Sequence, residues 1–180
     1  PNASELFLSE RPVNASGTVV VPVMEGTRPI LVEVQALVGS SSYQNARRTT
    51  NGIDLNRLQL LLAVLEKRAG LLLGGSDAFV KVAGGVKIDE PAVDLGLAVA
   101  LASSYRDCPV NPYTVIIGEV GLAGEVRAVS HMEQRIRESR RMGFRRAIVP
   151  VSAEKVHTEP GFSLLGAPTL NDALNIVLGR

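Results

Sequence analysis

The sequence predicts a single mixed α/β domain, and three observations predict it. Two β-branched runs joined by a turn open the chain, strand-type and helix-type segments interleave after them, and one central helix is apolar on nearly every side. Such a helix is buried between layers rather than laid on a surface. With 180 residues and 46% hydrophobic content, the chain can fill one core, and no apolar run reaches the ~18 residues of a membrane span.

Residues 1–15 form a polar lead-in with Pro1 and Pro12, within which Glu5-Leu6-Phe7-Leu8 reads as a short strand or docking segment; the domain proper is residues 16–180. Gly17–Met24 and Ile30–Val38 are strands of a hairpin turned at Glu25–Pro29. In the second arm Leu31, Glu33, Gln35 and Leu37 alternate with Val32, Val34, Ala36 and Val38, which leaves one face partly open. Gly39–Ile53 is a long polar loop without apolar periodicity, a length usually kept for function or motion. It carries Arg47 and Arg48 beside Ser, Thr and Asn donors, which suits phosphate contact or a solvated loop.

Asp54–Ala69 is a helix with Asp54 as N-cap, Leu55, Leu58, Leu62 and Leu65 on one face, and Gly70 as its stop. A strand over 78–83 runs into Gly84-Gly85, then a loop stiffened by Pro91, then the apolar helix from Asp94 to about Tyr105. Asp94 at this junction reads as a helix cap, its carboxylate accepting free N–H groups at the dipole's positive end. Strands follow at Tyr113–Glu119 and Arg127–Val129 around a glycine-rich turn. A helix ending near Gly143 comes next, then strands at 146–150 and 162–165, and a helix over Thr169–Leu178 capped by Thr169.

Charge and motifs exclude more than they assign. The net charge is +1, yet residues 127–146 carry seven arginines against Glu133 and Glu138, a local +5. The single cysteine, Cys108, rules out an internal disulfide and a thiol zinc site, and reads as a small loop residue. Pro1 is not followed by a basic and then apolar leader, which argues against a signal peptide and suggests a processed chain or an excised fragment. There is no Walker A loop, G-x-G-x-x-G or H-E-x-x-H sequence. Ser130 and His131 are sequence neighbours and do not face one another on a helix. With no tryptophan and few aromatics, a stacking surface for single strands is not evident.

In combination the pieces resemble the proteolytic domain of the Lon family. The residues that carry this are the strand and loop leading to Pro91, the Asp94-Leu95-Gly96-Leu97-Ala98 helix start, the Gly118–Val126 turn, and Gly143-Phe144 before Ala147–Pro150. More narrowly, the chain is similar to the C-terminal Lon-like domain of the RadA (Sms) family of bacterial DNA-repair ATPases. Phe7–Pro12, Val34–Val38, Arg47–Gly52, Leu62–Gly70 and Gly84–Gly96 carry that match. The resemblance implies the Lon fold, a superfold shared with the second domain of a small-subunit ribosomal protein and with the GHMP kinases.

Lon peptidases use a Ser–Lys dyad. Carried over through the shared helix start and glycine turn, the serine position falls on Asp94 and the lysine position on Glu133. Neither a hydroxyl nor an amine is present, so an acyl-enzyme cannot form by that route. The two carboxylates could instead share a proton or hold a divalent ion with Asp89 and Glu90, if they face each other; the simpler reading makes them a helix cap and an early-turn acid.

The resemblance therefore implies an inactive scaffold that assembles a ring, a hexamer, and binds duplex or branched DNA without reading sequence. The parent protein would be a cytoplasmic, nucleoid-associated branch-migration ATPase. ATP, magnesium and zinc would belong to its other domains, and no cofactor or metal to this one. Arg47, Arg48, Arg135, Arg137, Arg140 and Arg141 are the candidate DNA contacts, set against solvated or subunit-paired arginines. Two rivals remain: a Lon-type peptidase using Ser130 or Ser103, and an oligomerisation module that never meets DNA.

Overall fold

The computed structural model describes Glu10 and residues 14–179. The Glu5–Leu8 segment, and most of the Phe7–Pro12 match, lie outside the described residues. The order of elements is β1 (Thr18–Glu25), β2 (Arg28–Ser40), β3 (Arg48–Asn51), α1 (Leu55–Ala69), β4 (Ser76–Val82), α2 (Asp94–Arg106), β5 (Thr114–Ile116), β6 (Glu119–Val120), β7 (Val126–Arg127), α3 (Met132–Arg141), β8 (Arg146–Val149), β9 (Ser163–Gly166) and α4 (Leu170–Leu178). Seven strands form one sheet in the order β3-β4-β2-β1-β5-β8-β9, and β6 and β7 form a separate ribbon. Within the large sheet β1–β2 and β2–β4 pair antiparallel and the other four pairs are parallel, so the fold is mixed α/β with a mostly parallel sheet.

Strand alternation sends the two halves of each β-branched run to opposite layers. Val19, Val21 and Val23 of β1 join Leu58, Leu61, Leu65 and the apolar residues of α2 from Leu95 to Ala102 in the larger core. Val20 joins Val115, Ile117, Ile136, Phe144 and Val149 in a smaller core beneath α3. Every residue of α2 from Asp94 to Ser103 is buried, as its all-round apolarity requires. At Gly96 the helix lies so close to β1 that a Cβ would overlap Val21 Cγ1.

Caps explain most element ends. Gly70 and Gly179 close α1 and α4 in left-handed conformations, at φ 74° and 77°. Thr169 and Asp172 form a reciprocal capping box at the start of α4. Asp54 occupies the N-cap position of α1, but its side chain makes no capping bond.

Two expectations change. The stretch expected as an unbroken loop over 39–53 contains the end of β2 and all of β3. Arg48-Thr49-Thr50-Asn51 has no apolar alternation because β3 is an edge strand; pairing with β4, not its own burial, holds it extended. The strand expected at 113–119 also breaks in two. Thr114–Ile116 stays in the large sheet, while Glu119 and Val120 turn away to pair with Arg127 and Val126.

Candidate functional site

The junction ahead of α2 is built as expected and occupied differently. Gly84 and Gly85 sit at φ 79° and 72°, a left-handed pair that turns the chain after β4. Pro91–Val93 make one 3-10 turn, and Asp94 is then the first residue of α2, with Val93 in the cap position. Asp94 therefore does not cap its own helix. One carboxylate oxygen pairs with Arg57 of α1, and the other accepts the Val120 N–H of β6 at 3.2 Å. The residue is 6% exposed. Burial pushes its carboxyl above the ordinary aspartate range, aided by the nearby charge of Glu119. The Val120 N–H and the Arg57 guanidinium pull in the opposite direction. Asp94 thus ties α1, α2 and the β6–β7 ribbon together at the wall of an open cleft of about 400 Å³ that also takes in Leu60 and Leu122. Arg57 escaped the sequence reading, although it precedes Leu61 by four residues and so flanks the buried stripe of α1.

Glu133 lies elsewhere. It is exposed in the first turn of α3 and lines a different cleft, of about 430 Å³, with Arg137, Arg140, His157 and Glu159. The two positions implied for a Ser–Lys dyad thus line different clefts, and among the described residues no hydrogen bond joins them. Among the described residues, no three His, Cys, Asp or Glu side chains converge as a metal site would require.

The rival nucleophiles fare no better. Ser103 is fully buried, accepting the Gly17 N–H at 2.9 Å and donating to the Cys108 carbonyl. It ties loops to α2, and among the described residues no side-chain base is hydrogen-bonded to it. Ser130 is exposed, and its carbonyl accepts Arg135 Nε at 2.8 Å.

The arginines divide into three groups. Arg135 is a correction: it is 2% exposed, a buried cation and not a surface contact. Its guanidinium pairs with Glu90, donates to the Pro22 carbonyl at 2.9 Å and reaches Ser130. The other Glu90 oxygen accepts the Met24 N–H at 3.0 Å. Helical periodicity accounts for this placement, because Arg135 stands four residues before Ser139, on the side of α3 that faces the sheet.

Arg47 and Arg48 are held by the protein itself. Arg48 donates to the carbonyls of Arg47, Leu73 and Ser76. Arg47 gives its backbone N–H to Asp77 at 2.7 Å and its guanidinium to the same carboxylate at 3.1 Å, and stays half exposed. Its N–H and side chain hold the Asp77 carboxyl below the ordinary range. The third group is on the surface of α3. Arg140 pairs with Glu159 at 2.9 Å, Arg141 with Glu138 at 2.8 Å, and Arg137 is exposed with no hydrogen bond or ion pair among the described residues.

Comparison with known proteins bears on what this arrangement serves. A family model described as "Subunit ChlI of Mg-chelatase" matches residues 76–153, from β4 to just beyond β8. DNA repair protein RadA of Halalkalibacterium halodurans is 52% identical over 180 residues, 99% of this chain. The similarity to RadA runs through nearly the whole of this chain. RadA of Bacillus subtilis is also 52% identical, over 179 residues, and RadA of Streptococcus pneumoniae is 52% identical over 177. The chain spans about two fifths of these RadA proteins, 39% of the first two and 42% of the third. No helix among the described residues is long and apolar enough to cross a membrane.

Proposed function

We propose that this chain is a proteolytically inactive Lon-like domain of a RadA-type DNA-repair ATPase, serving as a scaffold for ring assembly and as a DNA-binding module. The observation that carries the reading is the coincidence of two facts. The RadA similarity runs through nearly all of the chain. The junction that would present a nucleophile instead carries a buried aspartate, already bonded to Arg57 and Val120. A side chain committed to holding three elements together is not available to attack an amide. The fold is retained for binding and assembly.

In this reading the parent protein forms a hexamer in the bacterial cytoplasm, at the nucleoid, and spends ATP on branch migration of recombination intermediates. Magnesium and zinc belong to its other domains. The chain supplies phosphate contacts from Arg137, Arg140 and Arg141, with Arg47 at a second place. Arg48 and Arg135 are withdrawn from the set because their donors are spent inside the protein. Arg140 and Arg141 already have surface carboxylate partners, and such pairs contribute little and exchange readily for phosphate.

The test is the salt dependence of binding to a duplex oligonucleotide. Replacing Arg137, Arg140 and Arg141 with glutamine should weaken binding uniformly across sequences and flatten the log–log salt slope by about 2 to 3. An unchanged slope sinks the α3 contact. Sedimentation of the chain with and without duplex separates this reading from a pure oligomerisation module, which would assemble and leave the DNA free.

A further inference from the structure

One face of the large sheet is only half covered. Helix α3 lies over β1 and the start of β2, where Leu31 packs against the smaller core, while Leu37 of β2, Lys81 of β4 and Thr49 and Asn51 of β3 are exposed on the same side. Pairing registers place two rows of side chains there. Thr18, Gln35, Lys81 and Asn51 form one, and Leu37, Phe79 and Thr49 the other. Leu37 is 64% exposed. Together they floor a shallow groove of about 420 Å³ with no carboxylate in its lining. At its end the loop before β3 brings in Tyr43, 62% exposed. The Arg47 guanidinium lies 4.7 Å from the Tyr43 ring centre and 5.4 Å from that of Phe79.

These groups are pre-ordered. Asp77 grips the backbone N–H and the guanidinium of Arg47, so the flat cation between two rings is held before anything binds. Among the described residues the carboxylates around the groove are already engaged, Asp77 by Arg47, Glu33 by the Gln35 amide at 2.8 Å and Asp107 by the Ser16 hydroxyl at 2.9 Å.

We propose that this face is a stacking platform for unpaired bases of a single-stranded nucleic acid. The proposal deepens the DNA-binding reading above and rests on it. The exposed Tyr43 ring, the half-buried Phe79 ring and the guanidinium plane of Arg47 that covers them offer π-faces to a base, and Lys81 offers a charge to the backbone. The amide and hydroxyl groups of Gln35, Thr49 and Asn51 can bond sugars or base edges. Three adjacent strands span about 10 Å, room for the two or three bases that open sheets stack elsewhere. A duplex keeps its bases stacked inside and cannot use the rings. A protein partner would seek a wider apolar area than Leu37 supplies.

The experiment measures binding of the intact chain to labelled oligo-dT, to an abasic strand of equal length and to a duplex, by fluorescence anisotropy. The parent should prefer oligo-dT over the abasic strand. Tyr43→Ala should weaken oligo-dT binding roughly tenfold, Tyr43→Phe should restore it, and duplex affinity should stay within about twofold. If Tyr43→Ala and Leu37→Ser bind oligo-dT like the parent while duplex binding persists, the platform is wrong and the DNA-binding reading survives. If the parent binds neither strand nor duplex, both fall. Equal affinity for dT and abasic strands overturns the stacking. A change in sedimentation without a change in oligo-dT binding assigns the face to a protein contact instead.

Discussion

Arg135 offers the sharpest test of the structure, because its sequence context reads as one more surface cation and its burial makes it a brace. Arg135→Met keeps most of the length and the apolar stem of the side chain while removing the charge and every donor. The Glu90 oxygen that faced Arg135 is then left without a cation, and the carbonyls of Pro22 and Ser130 lose their partner. Removing one member of a buried ion pair costs about 3–5 kcal/mol. Glu90 still accepts the Met24 N–H, so the middle of that range, about 4 kcal/mol, is the expected loss. For a domain of this size each kcal/mol lowers Tm by about 2–4 °C, so the variant should melt about 8–16 °C below the parent. Adding Glu90→Gln removes the orphaned charge and keeps an acceptor for Met24, and should recover a measurable part of the loss in a double-mutant cycle. Calorimetry and urea titration report the stability, and duplex binding reports any contact. A loss below about 1 kcal/mol, together with a flattened salt slope like that expected of Arg137→Gln, would refute the burial and return Arg135 to the surface.

Three further outcomes follow from the same contacts. Gly96→Ala should destabilise by about 1–3 kcal/mol, because the new methyl overlaps Val21 where α2 crosses β1; a neutral result in urea titration would mean that the helix is free to shift. The two linked aspartates should respond to pH with opposite signs. Burial raises the Asp94 carboxyl, so in the window above its ordinary value of about 4 the folded chain holds a proton that the unfolded chain has lost. Its contribution then declines as pH rises. The stability gap between parent and Asp94→Asn should therefore shrink as pH rises above that ordinary value. The Asp77 carboxyl is lowered, chiefly by the Arg47 N–H, so its contribution is complete above the ordinary value and fades as pH falls through the lower folded one. The gap between parent and Asp77→Asn should close in acid, and parallel curves for the two variants would contradict both assignments. Finally, Asp94→Ser should show no cleavage of casein, with or without Glu133→Lys, because the two side chains line different clefts; any serine-dependent cleavage by the double variant would show that the positions meet.

Periodicity and turn chemistry were enough to read most of the elements. The hairpin, α1 with its glycine stop, the buried α2, the Thr169 cap and the mixed α/β class all follow from local pattern, because each is dictated by residues a few positions apart. β3 was hidden because an edge strand is held extended by its neighbour's hydrogen bonds and needs no apolar code of its own. The split after Ile116 was hidden because the ribbon's pairing is between Glu119 and Arg127, across a turn whose direction the sequence does not state. The local +5 was legible as a sum but not as a surface. Arg135, Arg137 and Arg140 sit within two turns of one helix, and only the sheet packed against α3 decides that the first is sealed against Glu90 while the second is open to solvent.

Asp94 shows the division most directly. That the helix mouth carries a carboxylate and not a hydroxyl is written in the chain, and it removes the acyl-enzyme chemistry without any coordinates. What the carboxylate does instead depends on Arg57, 37 positions earlier, and on the Val120 N–H, 26 positions later. Their meeting at one buried point is a product of long-range packing, which no local pattern encodes. The residue type closes the serine route at this position, and the company the fold gives the carboxylate sets its contacts.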